Sequence, residues 1–287
     1  MNNTKTVKVD FDKELKAKPT GYSRALTQWY NIRASNKSHC NAYRNITRYI
    51  AEHIYPEPFL VVDYGCGPGR LLGELAARFE ETKFIGIDGS SAMLKTATRY
   101  LKKELPVFQR SIKLLHTTLP SKLVLSKKAD LITFTFPHML SKLYHLELNS
   151  FLRFLTYSEI ENAVILAENK RLKINDESMG QDELLKTLLV NRVVSKNIRS
   201  LLKRGGSCIR AEFANAKRQE FGKIFQKRYS FEEGSLEKSL SDRKLKQFFQ
   251  FVHSEYHHSK VMEDVYEQTC DESDRKGGYW ISLLRAI

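Results

Sequence analysis

The 287-residue chain has no apolar run approaching the ~18 residues that a bilayer-spanning helix needs. A transmembrane protein is therefore not expected. Its start, Met1-Asn2-Asn3-Thr4-Lys5, leads into no apolar signal region, so nothing points to secretion. Cysteine is scarce. Cys40, Cys66, Cys208 and Cys270 show neither pairing nor metal-ligand spacing, and reduced thiols in a cytoplasm are the expectation. There is no internal repeat and no low-complexity tract. The 41% hydrophobic content suits a packed core rather than disorder. The length suits one large domain, or a domain with a sizeable insertion.

Charge of one sign is in excess, at +14 overall. It is concentrated in two places. Residues 1–50 carry +7 and residues 195–250 carry +8, and the remainder is close to neutral. Brought together, the two segments would form a surface for nucleic acid or an anionic substrate. A charge run is more often an ordinary solvated face, and that reading is preferred.

The most informative stretch is Val61-Val62-Asp63-Tyr64-Gly65-Cys66-Gly67-Pro68-Gly69-Arg70. It follows an apolar run, Phe59 to Val62, that reads as a buried strand. It precedes Leu71 to Phe79, whose apolar positions recur at helical spacing. Glycine at alternate positions lets the chain turn tightly and lets a ligand approach the main chain. The helix start adds free N–H groups and the positive end of its dipole. Lys83 to Asp88 reads as a second strand ending in a carboxylate, 19 residues after Gly69. An acid about 20 residues past such glycines is placed to bind ribose hydroxyls.

The glycine spacing is G-x-G-x-G with Asp63 two residues ahead, not the G-x-G-x-x-G usual for nicotinamide dinucleotides. It resembles the first motif of class I S-adenosylmethionine (SAM) dependent methyltransferases. Gly89 to Leu94, after Asp88, resembles their second motif. Lys203-Arg204-Gly205-Gly206, between a helix over 193–202 and a strand over 207–213, resembles the family's fifth-strand entry. The resemblance covers about residues 55–140 strongly and 193–287 loosely. It implies an α/β fold: a doubly wound, mostly parallel, seven-stranded Rossmann-like sheet. Residues 1–54 would form an N-terminal helical extension or lid. Residues 55–287 would be the SAM-binding domain, with a helical insertion at about 141–192. SAM is the implied cofactor and S-adenosylhomocysteine the product.

The resemblance assigns cofactor contacts to Asp63, Gly65, Cys66, Gly67, Gly69, Asp88, Gly89 and Met93. The third strand, Ser111 to His116, ends without the family's usual acid. His116 stands there, and the adenine contact stays open. The fourth strand and its turn, Ala129 to Leu140, place Phe134, Phe136 and His138 at the strand's carboxyl end, where ligands bind in open parallel sheets. Aromatic faces attract a sulfonium, and His138 is the candidate base. Tyr22, Trp29 and Tyr30 are lid and substrate-pocket candidates, with core packing the plainer reading for each. Tyr157 is a weaker catalytic candidate, and Glu168 a conceivable pocket residue.

The chain's end is read as a helix from Leu240 to Phe251, a sixth strand from Val252 to His257, and a last edge strand from Tyr279 to Ala286, with a polar turn from Asp271 to Gly278. His257 and His258 are adjacent and would point apart in a strand, so no metal chelate is expected. Phe136-Pro137-His138-Met139 replaces the [Asn/Asp]-Pro-Pro-[Tyr/Phe] of enzymes that methylate base amines. No Pro-Cys dipeptide supplies the nucleophile of cytosine-C5 enzymes. The leading reading is therefore a methyltransferase for a small-molecule acceptor. Two alternatives stand beside it. One is an enzyme that acts on SAM itself, moving its aminocarboxypropyl chain or cyclising it with release of methylthioadenosine. The other is an RNA methyltransferase that uses the two basic segments. A SAM-binding protein without catalysis is a weaker third.

Overall fold

The computed structural model describes residues 24–105, 111–117, 123–136, 154–157, 159–161, 163–164, 181–215, 248–258 and 277–287. Tyr22, His138, Glu168, most of the 141–192 insertion and much of both basic segments lie outside them. The elements, in order, are α1 (Arg24–Ala34), α2 (Lys37–His53), β1 (Leu60–Tyr64), α3 (Arg70–Arg78), β2 (Lys83–Asp88) and α4 (Ser91–Glu104). They continue with β3 (Ile112–His116), β4 (Ala129–Thr135), α5 (Gln181–Leu201), β5 (Leu202–Asn215), β6 (Phe249–His258) and β7 (Gly277–Ala286). The seven strands form a sheet in the order β3-β2-β1-β4-β5-β7-β6. The β1/β2 and β2/β3 pairs are parallel, and the β5/β7 and β7/β6 pairs antiparallel.

The chain divides into two compact units, residues 1–118 with 133–135, and residues 119–132 with 136–287. In the first, β1 is buried along its whole length, which suits a parallel strand covered on both faces. Helix α2 buries Ala42, Ile46, Tyr49 and Ile50, a single apolar stripe. Helix α4 does the same with Met93, Leu94, Ala97 and Leu101. Burial of Ile46 or Ile50 contributes about 1.5–3 kcal/mol each. Only Ser35 and Asn36 separate α1 from α2, a shorter link than the polar stretch Asn31–Asn41 suggests. Asn36 makes this corner by capping α2, its side chain accepting the His39 N–H at 2.8 Å.

In the second unit β7 is not an edge strand. It lies between β5 and β6. Tyr279, Trp280, Ile281, Ser282, Leu283 and Leu284 are all buried, so both faces are covered, as an interior strand requires. The edge is β6, which carries the polar run His253-Ser254-Glu255 and ends in His257-His258. Pairing with β7 also holds Phe249 to Phe251 in strand, not in the helix read over 240–251. The Gly205-Gly206 pair lies inside β5, with Gly205 in the left-handed region (φ 73°), and does not form a turn ahead of the strand. The preceding helix α5 begins at Gln181, within the segment read as insertion.

Thr156 and Glu159 form a reciprocal capping box. The Thr156 N–H donates to Glu159 Oε2 at 2.8 Å, and the Glu159 N–H donates to Thr156 Oγ1 at 3.3 Å. A helical turn therefore starts at Tyr157. Glu159 also pairs with Arg192 Nε at 2.9 Å and Lys196 Nζ at 3.1 Å. Burial acts to raise the Glu159 pKa, but the Thr156 N–H, Lys196 and Arg192 outweigh it and hold the carboxyl below its usual range. Glu159→Ala leaves the buried Arg192 without this partner. It should cost about 3 kcal/mol in urea unfolding, and an unchanged midpoint would refute the role.

Candidate functional site

The site grows from the end of β1. The N–H groups of Gly65 and Cys66 both donate to the Ile87 carbonyl, at 2.7 and 2.9 Å, which ties the glycine loop to β2. The Gly67 N–H donates to Asp88 Oδ2 at 2.8 Å. Gly65, Gly67 and Gly69 all have positive φ, at 80°, 51° and 77°. At Gly69 a Cβ would also come within 3.0 Å of Ala97 Cβ, so glycine sets the approach of α3 to α4. At Gly67 a Cβ would meet nothing within 4 Å, so the crown of the loop is open there among the described residues.

Two buried carboxylates flank this loop. Asp88 spends both oxygens on it. Oδ2 takes the Gly67 N–H, and Oδ1 takes the Ser90 N–H at 2.8 Å. Burial raises its pKa, while those two N–H groups and His116 work against the rise. Asp63 is 2% exposed, and its Oδ1 accepts the Thr133 hydroxyl at 2.8 Å. Burial pushes its pKa up to about 7, with the Thr133 hydrogen bond opposing and the Asp88 charge adding to the rise. Among the described residues no cation forms an ion pair with it.

Other expected contacts gather here too. His116 stands opposite Asp88 in the β2/β3 register, with Nε2 3.0 Å from the Gly89 carbonyl. That bond requires the proton on Nε2. Phe134 lies against the loop, 3.9 Å from where a Gly65 Cβ would be, and meets Tyr64 edge-on. Met93 is 1% exposed, and its backbone N–H is capped by Ser90, so its side chain serves the core. Cys66 is buried, with its Sγ against Gly86, and burial pushes its thiol well above the usual range.

Phe136 has a different neighbourhood. Its φ is 47°, costly for a bulky residue, and its ring packs edge-on against Tyr279. Tyr279 in turn stacks on His257, whose Nε2 lies 2.6 Å from Glu255 Oε1. Trp29 and Tyr30 meet edge-on within α1, with the Arg33 guanidinium over the Trp29 ring. Tyr157 is 81% exposed. The sequence reading overlooked Tyr43 and Arg70. The Tyr43 phenol pKa is raised by burial and by the charges of Asp63 and Cys40, and lowered by Arg70, which places it within reach of those groups.

The described residues hold no group of three His, Cys, Asp or Glu side chains arranged for a metal ion. The donor set instead suits a ligand that brings a cation to Asp63 and polar groups to an open glycine loop. Residues 61–156 match the family model described as a methyltransferase domain. Over that stretch the chain carries a methyltransferase domain.

A 46-residue stretch of it is 46% identical to trans-aconitate 2-methyltransferase of Methylobacterium radiotolerans and 50% identical to that of Variovorax paradoxus. Each match covers 16% of this chain and 18% of the relative. The chain thus spans under a fifth of the length of these curated relatives. The crystal structure of the cyclase SpnF superposes with a TM-score of 0.50 at 14% identity, covering 88% of this chain and 84% of that one. The likeness of this methyltransferase domain to SpnF is one of fold. No helix among the described residues is long and apolar enough to cross a membrane.

Proposed function

We propose that this methyltransferase-domain protein binds SAM at the glycine loop and methylates a small-molecule acceptor. The observation that carries the reading is Asp63, a buried carboxylate with no ion-pair partner among the described residues, beside an open glycine crown. When bound, SAM supplies an electrophilic methyl group on a sulfonium. Asp63 would take the ammonium of its amino-acid end. Asp88, already fixing the loop, would add a ribose hydroxyl through its remaining lone pairs. Phe134 would offer an aromatic face to positive charge. His138, two residues past Phe136, is the proposed proton acceptor for the acceptor's nucleophile. Holding nucleophile and methyl carbon in line is an orientation effect and needs no further catalytic group. The two relatives that share the 46-residue stretch act, by name, on trans-aconitate, and that supports a small-molecule acceptor.

Chemistry on SAM's own side chain is the second reading, because the same loop and acids would hold SAM for either reaction. Purified protein incubated with SAM alone, with the adenosine products resolved by mass spectrometry, separates the two. Intact SAM is expected, and S-adenosylhomocysteine only once an acceptor is added. Methylthioadenosine without any acceptor would replace methyl transfer by side-chain chemistry.

A further inference from the structure

We propose that Arg70 latches the α1–α2 corner to the start of α3 and contacts the ligand's amino-acid end, and so governs its retention. The inference rests on the SAM reading above. Arg70 opens α3 directly after Gly69, and its guanidinium does two things at once. Its carbon lies 3.9 Å from the centroid of the Tyr100 ring on α4. Its Nη2 donates to Ser35 Oγ at 2.7 Å. Ser35 is half of the two-residue link between α1 and α2, and its hydroxyl donates onward to the Asn31 carbonyl at 2.5 Å.

The platform under Arg70 is built in as well. A Cβ at Gly73 would sit 2.9 Å from Tyr100 ring atoms, so the absence of a side chain there lets the ring lie against α3. Arg70 thereby joins α1, α2, α3 and α4 at the mouth of the glycine loop. The helix it retains, α2, carries Tyr43, which senses the charges of both Asp63 and Arg70. Arg70 Nε is buried with no hydrogen-bond partner among the described residues. A carboxylate beside the ammonium that Asp63 takes would supply that acceptor, and a planar fork suits it better than a point charge. The chemistry recognised is that of an α-amino acid end.

The test compares wild type with Arg70→Ala, Arg70→Lys and the exposed-site variant Ser35→Ala. Hydrogen exchange is followed over residues 24–53, and calorimetry measures affinity for SAM and for methylthioadenosine, which lacks the amino-acid end. Arg70→Ala should speed exchange in α1–α2 and weaken SAM at least tenfold, with methylthioadenosine within twofold of wild type. Arg70→Lys should rescue only part of the loss, and Ser35→Ala should reproduce the faster exchange. Unchanged exchange in Arg70→Ala would overturn the latch, and so would equal weakening of both ligands. If wild type fails to bind SAM, the proposed function falls by itself, and exchange in Arg70→Ala still decides the latch.

Discussion

Without ligand and at pH 8, the Asp63→Asn protein should melt about 5–10 °C above the wild type. The folded-state pKa of Asp63 is about 7, against an ordinary value of 3.8. The folded chain therefore holds this proton more tightly than the unfolded chain does. Below pH 3.8 both states are protonated and nothing is lost. As pH rises from there to 7, stability falls. Above 7 the full penalty stands, at about 2–4 kcal/mol. Asparagine keeps the acceptor for Thr133 and removes the buried charge, so its advantage should vanish at pH 4 and be complete at pH 8. Calorimetric melting across that range checks the slope. The same substitution should weaken SAM by one to two orders of magnitude, because an amide cannot pair with an ammonium. In wild type, SAM affinity should fall as pH drops below 7. A variant that melts below wild type at pH 8 would refute the account.

Asp88→Asn, at the other buried carboxylate of the same loop, should have the opposite sign. Both oxygens of Asp88 receive backbone N–H groups, from Gly67 and Ser90. An amide accepts one and turns its own NH₂ toward the other. A buried N–H left without an acceptor costs about 1–3 kcal/mol, and the charge-assisted bond is lost as well. We expect a loss of about 2–4 kcal/mol in urea unfolding and SAM affinity down by more than a hundredfold. Asp88→Ala should behave alike. SAM affinity retained in Asp88→Ala would remove the ribose role. Two acids of equal formal charge thus serve opposite ends. Asp63 is destabilising until a ligand arrives, and Asp88 holds the receptacle open in advance.

The βαβ core was legible because its signals are local. Strand, glycine turn, helix and second acid follow one another within 30 residues, and spacing alone aligns them. The far end of the sheet was less so. The order β5-β7-β6 depends on which strand fills a gap between two others. The cue was present in the largely apolar run from Tyr279 to Leu284, against the polar run His253-Ser254-Glu255 of β6. The aromatic density of residues 248–251 fits a helix as well as a strand until a partner is known. The Thr156–Glu159 box was readable as a four-residue pattern. Arg70 was not. Ser35, Gly73 and Tyr100 give it meaning only once four helices have met. The acids of the loop could be located in sequence, but their unequal burial and partners could not.

The position of β7 also bears on the order of events during synthesis. Residues 249–258 emerge from the ribosome before residues 277–286, yet their ladder partner is that later segment. Until it arrives, β5 and β6 each present an unmatched row of amide and carbonyl groups, with Phe249 and Ile209 on segments destined for the interior. Closure of this half of the sheet is therefore a late, long-range step, the kind that folds slowly and is exposed to self-association while it waits.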